Sequence, residues 1–410
     1  MYKHGGFIFC HDGLKKLNTF KAFVQIIVIR MDNVLASHIG LSNLGNTCFL
    51  NVVLQALRVA PPLAVLFIKE KEAPIREESK RKEIVSAFQT LMRDFWRAEI
   101  PPSACPSMVP RGFFHSLFNV LKETDADWYS PGQQADAAEA LQYVLDSLHD
   151  GLYRRVRMDI VGKAKTDEEA AHVKCIEAWS SFFSKEYSPI VQNFNGQTQV
   201  TVTCQTCNSV STRYEPWLMI KAPIPGADVV GGPAPTMARC LDYAHETETI
   251  GDYQCEKCAE KRTATIEHKI SRLPPVTIVS LKRFTNMGHK VRGKIGWDLD
   301  ALNFAPWMAF HHDPFGDPHR LGASEPVYET FAVIEHHGST HGGHYRMYAR
   351  QCNVWHLYDD SSVSTVSPDS VINADSYIAL MMPKHQVKTM NAVFAKCVTD
   401  LRAAKKAAEA

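Results

Sequence analysis

The stretch "NLGNTCFLN", Asn43 to Asn51, decides how the rest of the chain is read. It sets a cysteine between a glycine turn and an apolar run. Gly45 suits a tight turn, Asn46 or Thr47 can cap a helix, and "CFLNVVLQALRV" (Cys48 to Val59) is apolar nearly all round, as a buried helix is. Cys48 is therefore expected at or near a helix N-terminus, where unpaired backbone N–H groups carry partial positive charge and favour the thiolate. A lone cysteine is more often a small packed residue, as Cys175 and Cys397 are expected to be. It becomes a nucleophile only with a base beside it.

That base has to come from far along the chain, in "HHGSTHGGHYRMYARQCNVWHLYDDSSVSTV", His336 to Val366. Among eighteen histidines His344 stands apart in its setting. Gly342 and Gly343 strip side chains from the approach to it and let a peptide backbone come close. "YRMYAR" alternates as a strand does, and "VWHLYDD" returning beside it would bring Asp359 or Asp360 to the imidazole. A carboxylate there fixes the tautomer and stabilises imidazolium, which completes a Cys–His–Asp arrangement.

Around these segments the first half of the chain reads as helical. "EIVSAFQTLMRDFW" (Glu83 to Trp96) carries an apolar stripe at Ile84, Phe88, Leu91 and Phe95, and "ADAAEALQYVLDSLH" (Ala135 to His149) reads as another helix. From about Ser188 the texture changes to alternating β-branched runs such as "TQVTVTC" and "TIVSLKRF". Two Gly/Pro-rich stretches, Ala222 to Ala238 and Phe310 to Pro326, read as loops. Helices first and strands later imply an α+β fold.

With Lys+Arg 45 against Asp+Glu 44, no charge excess points to nucleic acid or an anionic membrane as partner. Eleven cysteines, an odd number with several in apolar surroundings, argue against a disulfide framework and for a reducing compartment. "AFVQIIVIR" (Ala22 to Arg30) is too short for a membrane span and lacks a cleavage site, so it is expected to be a strand or an extension ahead of the domain. "CQTC" (Cys204 to Cys207) and "CEKC" (Cys255 to Cys258) are two Cys-x-x-Cys knuckles. Together they supply four thiolates for a closed tetrahedral zinc site, a reading favoured over a redox pair because there are two of them.

These segments carry a family resemblance. "GLSNLGNTCFLNVVLQAL" resembles the cysteine box of the ubiquitin-specific proteases, and "HHGSTHGGHYRMYA" with "WHLYDDSSVSTV" resembles their histidine box. "QADAAEALQYVLDSLH" and "LPPVTIVSLKRF" are similar to the family's intervening helix and strand, so the matches run from about Ile39 to Met382. The resemblance implies a papain-like α+β cysteine protease with thumb, palm and zinc-ribbon fingers. The same resemblance implies cleavage after the terminal glycine of ubiquitin in isopeptide-linked conjugates or chains.

Carried over by position, Cys48 is the nucleophile, His344 the general base and Asp359 the orienting carboxylate, with Asp360 as understudy. Asn43 supplies an oxyanion amide. Gln134 matches a substrate-side position near the oxyanion site, and Asp136 and Glu139, with Gly342 and Gly343, fall along the groove for ubiquitin's basic, glycine-ended tail, Asp136 being the favoured arginine acceptor. The bland reading of Asp136 and Glu139 is a solvated acidic face. Cys204, Cys207, Cys255 and Cys258 are expected to hold structural zinc in the fingers.

The expected organisation is an extension over 1–37, a catalytic domain over 38–383 and a helical tail over 384–410. Within the domain, 38–187 is thumb-like, 188–280 largely fingers-like and 281–383 palm-like. In the tail, Met390, Phe394, Val398 and Leu401 form a helical stripe suited to packing or to docking a partner. Ubiquitin and ubiquitinated proteins are the expected partners, with an activating protein partner left open, no nucleic acid and no membrane, in cytoplasm or nucleus. An inactive ubiquitin-binding scaffold and a protease for another ubiquitin-like modifier are the alternatives. Ala135, Ala140 and Val52 depart from the family pattern without removing a catalytic group.

Overall fold

The structure, a computed structural model, describes residues 38–69, 73–98, 106–123, 129, 132–160, 163–225, 235–284, 288–310, 326–339 and 342–409. The apolar stretch Ala22 to Arg30 lies outside them, as do the centres of both expected loops, whose flanks are ordered. The helical lobe begins with a short strand β1 (Gly40–Leu41) and α1 (Cys48–Arg58), in which every residue is buried. Proline at the first turn of α2 (Pro61–Ile68) starts a new helix at 84° to α1. Among the described residues no single helix is long and apolar enough to cross a membrane.

The expected stripe is realised in α3 (Lys82–Arg97), where Ile84, Phe88, Leu91 and Phe95 are all buried. A short β2 (Ser107–Met108) pairs parallel with β1 and leads into α4 (Arg111–Glu123). Phe88 joins these layers, meeting Phe67 of α2 and Phe113 of α4 edge-on at 5.0 and 5.9 Å. Then come α5 (Ala137–Leu152), α6 (Asp167–Phe183) and α7 (Pro189–Phe194), each opened by a side-chain cap from Asp136, Thr166 and Ser188 respectively.

Strands take over at β3 (Gly196–Cys204), β4 (Val210–Trp217) and β5 (Ile220–Pro223). After α8 (Met237–Ala244) come β6 (Glu248–Cys255), β7 (Glu260–Arg272), β8 (Thr277–Lys282) and β9 (Leu302–Asn303). The chain continues through β10 (Val327–Ser339), β11 (Gly342–Gln351), β12 (Val354–Asp359), β13 (Ser362–Val366) and β14 (Ser376–Pro383). They form two sheets. One has the order β4-β3-β7-β6 and is half-solvated, with alternating burial along β3. The other has the order β13-β12-β11-β10-β14-β8-β5, with β9 at the side of β10.

In the large sheet β14 is buried from end to end and β8 nearly so, because helices cover one face and a second apolar cluster the other. Continuous apolar runs rather than alternation are what such double covering demands. This sheet takes in β5 and the start of β8, both within the span expected to be largely fingers-like.

The tail is helical, as its stripe implies. α9 (Lys384–Glu409) leaves β14 directly and returns to the helical lobe, burying Phe394, Ala395, Val398 and Leu401, with Met390 half-buried. Phe394 meets Trp96 edge-on at 4.7 Å, and Arg402 donates to the carbonyls of Trp96 and Ala98 where α3 ends, satisfying orphan helix acceptors. The helix therefore packs within the chain and joins the end of the sheet to α2 and α3.

Candidate active site

Thr47 stands at the N-cap of α1, so Cys48 is the first helical residue, as the sequence implies. The expected low thiol pKa is not realised. Burial pushes Cys48 above the ordinary thiol value, since only 2% of the residue is exposed. Backbone hydrogen bonds pull it back, the first from Tyr345, the residue after His344, then those of Phe49 and Cys48 itself, while the charge of Asp360 adds to the rise. The helix N-terminus and desolvation act in opposition, and desolvation is the larger.

β11 and β12 form the expected antiparallel hairpin, with Met347 opposite Tyr358. His344 Nε2 lies 2.6 Å from Asp359 Oδ1, a charge-assisted hydrogen bond that leaves Nδ1 as the nitrogen able to take a proton. The choice between the two acidic residues is thus made by geometry. Asp360 serves another purpose than understudy. Its Oδ2 accepts from Asn43 Nδ2 at 2.9 Å, its Oδ1 accepts from Asn51 Nδ2 at 2.7 Å, and its carbonyl accepts from the Leu41 N–H at 2.7 Å. Asp360 has left-handed backbone, φ +47°, so the turn after β12 aims both its carbonyl and its carboxylate at the cysteine loop. Gly40 makes room for this turn, since a Cβ there would stand 2.3 Å from the Ser361 carbonyl oxygen.

Asn43 is fixed on both sides. Its Oδ1 accepts from the N–H groups of Gly45 and Thr47 at 3.0 and 3.1 Å, and one amide hydrogen goes to Asp360. The second amide hydrogen remains available for a developing oxyanion. Gln134 grips the glycine pair: its Nε2 donates to the Gly343 carbonyl at 2.7 Å and its Oε1 accepts the Gly343 N–H at 2.8 Å. Gly343 is also needed for packing, because a Cβ there would stand 2.1 Å from the His337 carbonyl oxygen and 2.3 Å from His336 Nε2.

The helix face bearing Asp136 and Glu139 is divided between two roles. Asp136 Oδ1 caps α5, accepting from Ala138 N at 2.7 Å and Glu139 N at 3.2 Å. The same carboxylate accepts from Tyr377 Oη at 2.9 Å and Tyr345 Oη at 3.4 Å, so its acceptors are taken up inside the chain. Burial, then the Asp136 charge, drive the Tyr377 and Tyr345 hydroxyls far up. Glu139 is exposed, and partial desolvation by the surrounding chain, then repulsion from Asp136, raises its pKa.

At the far end of the four-stranded sheet, the β3–β4 and β6–β7 turns bring Cys204, Cys207, Cys255 and Cys258 together, with all four Sγ atoms within 4.8 Å of one another. Cys204 and Cys258 are 4.0 Å apart and Cys207 and Cys255 3.6 Å. Tetrahedral thiolates at the usual zinc–sulfur distance stand about 3.8 Å apart, whereas a disulfide closes to about 2.05 Å. The cluster is able to bind a metal.

What sequence reasoning missed is the polar wiring behind these groups. Asn51, a buried amide in an otherwise apolar helix run, signalled the clamp to Asp360. Glu335, a carboxylate directly after the apolar run "TFAVI", is fully buried and signalled a second network around Arg346 and His337.

A thiol set against the histidine–carboxylate strand, with an amide beside it, can run nucleophilic acyl transfer; the arrangement defines the class of cysteine hydrolases. A family model described as ubiquitin carboxyl-terminal hydrolase matches residues 39–381, and the chain belongs to that family. It is 28% identical over 371 residues to mouse ubiquitin carboxyl-terminal hydrolase 21, covering 84% of this chain and 61% of the relative. Human ubiquitin carboxyl-terminal hydrolase 3 is 26% identical over 383 residues, covering 85% and 68%. This chain thus spans about three-fifths of the length of the first of these relatives.

Among solved structures, the SAGA DUB module with Ubp8 bound to monoubiquitin matches with a TM-score of 0.62 at 19% identity, covering 85% of this chain and 70% of that one. The same module bound to ubiquitin aldehyde matches with a TM-score of 0.62 at 20% identity, with the same coverage. These fold matches accord with the mixed α+β architecture and a fingers region carrying the four cysteines.

Proposed function

We propose that this chain is a thiol-dependent deubiquitinase that hydrolyses the bond after the C-terminal glycine of ubiquitin in isopeptide-linked conjugates or chains. The observation that carries the reading is the 2.6 Å His344–Asp359 hydrogen bond on the strand whose next residue bonds the Cys48 thiol, within a matched family span. The modifier is taken as ubiquitin because the solved relatives of this fold hold ubiquitin.

In this reading His344 Nδ1 takes the Cys48 proton as sulfur attacks the glycyl carbonyl carbon, because Nε2 is committed to Asp359. The C–S bond forms and the carbonyl electrons move to oxygen, stabilised by the free amide hydrogen of Asn43 and the Cys48 N–H at about 3 kcal/mol per donor. Collapse breaks the C–N bond, and imidazolium gives its proton to the departing lysine amine. His344 then deprotonates water for attack on the thioester, a second tetrahedral intermediate collapses, and Cys48 leaves as the glycine carboxylate is released.

Burial works against the thiolate, so this reading gives His344 the removal of the Cys48 proton during attack. Gln134 holds the Gly342–Gly343 backbone that flanks the scissile peptide. Glu139 offers the open carboxylate to an arginine of the tail, and Asp136 sets that helix start as its cap.

Zinc, in this reading, is structural and held by Cys204, Cys207, Cys255 and Cys258, keeping two finger turns in register. We divide the chain into thumb-like 38–187, largely fingers-like 188–280 and palm-like 281–383, with 384–410 as a clasp. The test is a fluorogenic ubiquitin amide with wild type and Cys48→Ala. Turnover that disappears while ubiquitin binding stays is the expected result. Turnover near wild type in the variant, or reaction only with another ubiquitin-like modifier, would overturn it.

A further inference from the structure

Behind the histidine hairpin lies a charged network that the reaction steps above do not use. Register sets Glu335 opposite Arg346 and His337 opposite His344 across β10 and β11. Side chains alternate along strands, so Glu335, His337, His344 and Arg346 share one face. That face is apolar further along, where Val333, Tyr348, Trp355 and Val371 cluster, and it turns polar toward the catalytic end.

Glu335 is fully buried, and a lone carboxylate there would be strongly disfavoured. Arg346 compensates it with Nε and Nη2, each 2.6 Å from Glu335 Oε1. Asn373 donates to Oε2, and His337 Nε2 lies 2.8 Å from Oε1. His337 Nδ1 in turn lies 3.1 Å from Asp375, whose other oxygen pairs with Lys290 at 2.7 Å. Two nitrogens of the guanidinium are therefore pinned, which fixes where the third points. Arg346 Nη1 lies 3.9 Å from Asp359 Oδ2, while Asp359 Oδ1 holds His344.

We propose that Arg346, anchored on the buried Glu335, is a positioning residue that holds the Asp359 carboxylate turned so that Oδ1 faces His344. Asp359 is only half-buried, and its second oxygen faces Arg346. A carboxylate held at one oxygen alone can rotate and release the imidazole from its productive tautomer. The guanidinium, 3.9 Å from that second oxygen, restricts the rotation as an ion pair. Because Arg346 acts through Asp359, its effect falls on turnover and not on ubiquitin affinity. The inference rests on the His344–Asp359 pair being catalytic.

The test is a double-mutant cycle on the fluorogenic ubiquitin substrate, with kcat and KM measured separately. Arg346→Met should lower kcat about tenfold with KM nearly unchanged, and Arg346→Lys should recover part, since one point charge cannot serve both carboxylates. In an Asp359→Asn background Arg346→Met should change kcat by less than about twofold, which a general structural role would not produce. Glu335→Gln with Arg346→Met removes both charges, avoids stranding a buried carboxylate and should show the same kcat loss at an unchanged melting temperature.

The proposal fails if Arg346→Met keeps wild-type kcat, if it costs the same factor in both backgrounds, or if the Glu335→Gln partner restores kcat. Inert Cys48→Ala with indifferent Arg346→Met would sink this proposal alone. Full activity in Cys48→Ala or Asp359→Asn would sink the catalytic reading and this inference with it.

Discussion

Replacing Asp360 by glycine removes the clamp between the β12–β13 turn and the cysteine loop without straining the backbone, because φ at this position is +47°. Two hydrogen bonds to a carboxylate are lost, at 2.9 Å to Asn43 and 2.7 Å to Asn51. Each is worth about 1.5–3 kcal/mol, and the half-exposed site argues for the lower end, about 3 kcal/mol together. Asn51 keeps weaker acceptors, the carbonyls of Leu41 and Ser42 at 3.3 and 3.5 Å, so part of its share survives in stability. The Asn43 share appears in turnover: an oxyanion donor is worth about 3 kcal/mol when fixed, and loosening it by half costs about tenfold in kcat.

A second readout separates this from damage at the histidine. The Asp360 charge raises the Cys48 pKa, so its removal should move the pH midpoint of Cys48 alkylation downward. Asp360→Asn, which keeps one acceptor but no charge, should lower the midpoint as glycine does while losing less of kcat. Stopped-flow turnover of the fluorogenic substrate and iodoacetamide kinetics across pH make the measurement. A Cys48 midpoint that rises, or kcat within twofold of wild type, would refute the clamp.

Three further outcomes follow from the same geometry. Metal analysis should give about one zinc per chain, and Cys204→Ser should slow ubiquitin processing while a small electrophile still labels Cys48 at nearly the normal rate; equal loss of both would mean global unfolding instead. Phe394→Ala should lower stability by about 3 kcal/mol through the cavity left against Trp96, read as the urea midpoint, and no shift would mean that α9 is not docked in solution. Burial, then Lys290, push His336 down to about 4, and burial, then His38, push His356 down to about 4, both from an ordinary 6.5. Groups buried neutral resist protonation when folded, so stability should be full above pH 6.5, fall as pH drops toward 4 and level off below; His356→Gln should flatten that slope in thermal melts.

Much of the site was legible because its parts are marked by local chemistry. A cysteine at a turn-to-helix junction, a histidine after paired glycines and an acidic pair at a strand end each announce themselves, and antiparallel return brought Asp359 to His344. The thiol pKa was not legible, because the local pattern shows the helix start but not the desolvation that opposes it. Asp136 shows the same limit. Its spacing to Glu139 reads as one face, yet Tyr345 and Tyr377 arrive from strands more than two hundred positions away and take up the carboxylate. Glu335 and Arg346 need register, which a single sequence does not display. For α9, the stripe gave the helix and its packed face, while the surface it covers came only with the tertiary structure.

The Asp360 clamp also orders events in time. It joins residues 317 positions apart, so the oxyanion amide cannot be fixed until the strand bearing the acidic pair has been made. At about 5–20 residues per second, a ribosome releases Cys48 some 15–60 s before that strand. In the interval the nascent chain carries an ordinary thiol on an unfinished helical lobe, with no base and no anchored amide. If the proposed activity holds, cleavage is thus withheld through most of synthesis, and translation that stops short of residue 360 should yield an inert product.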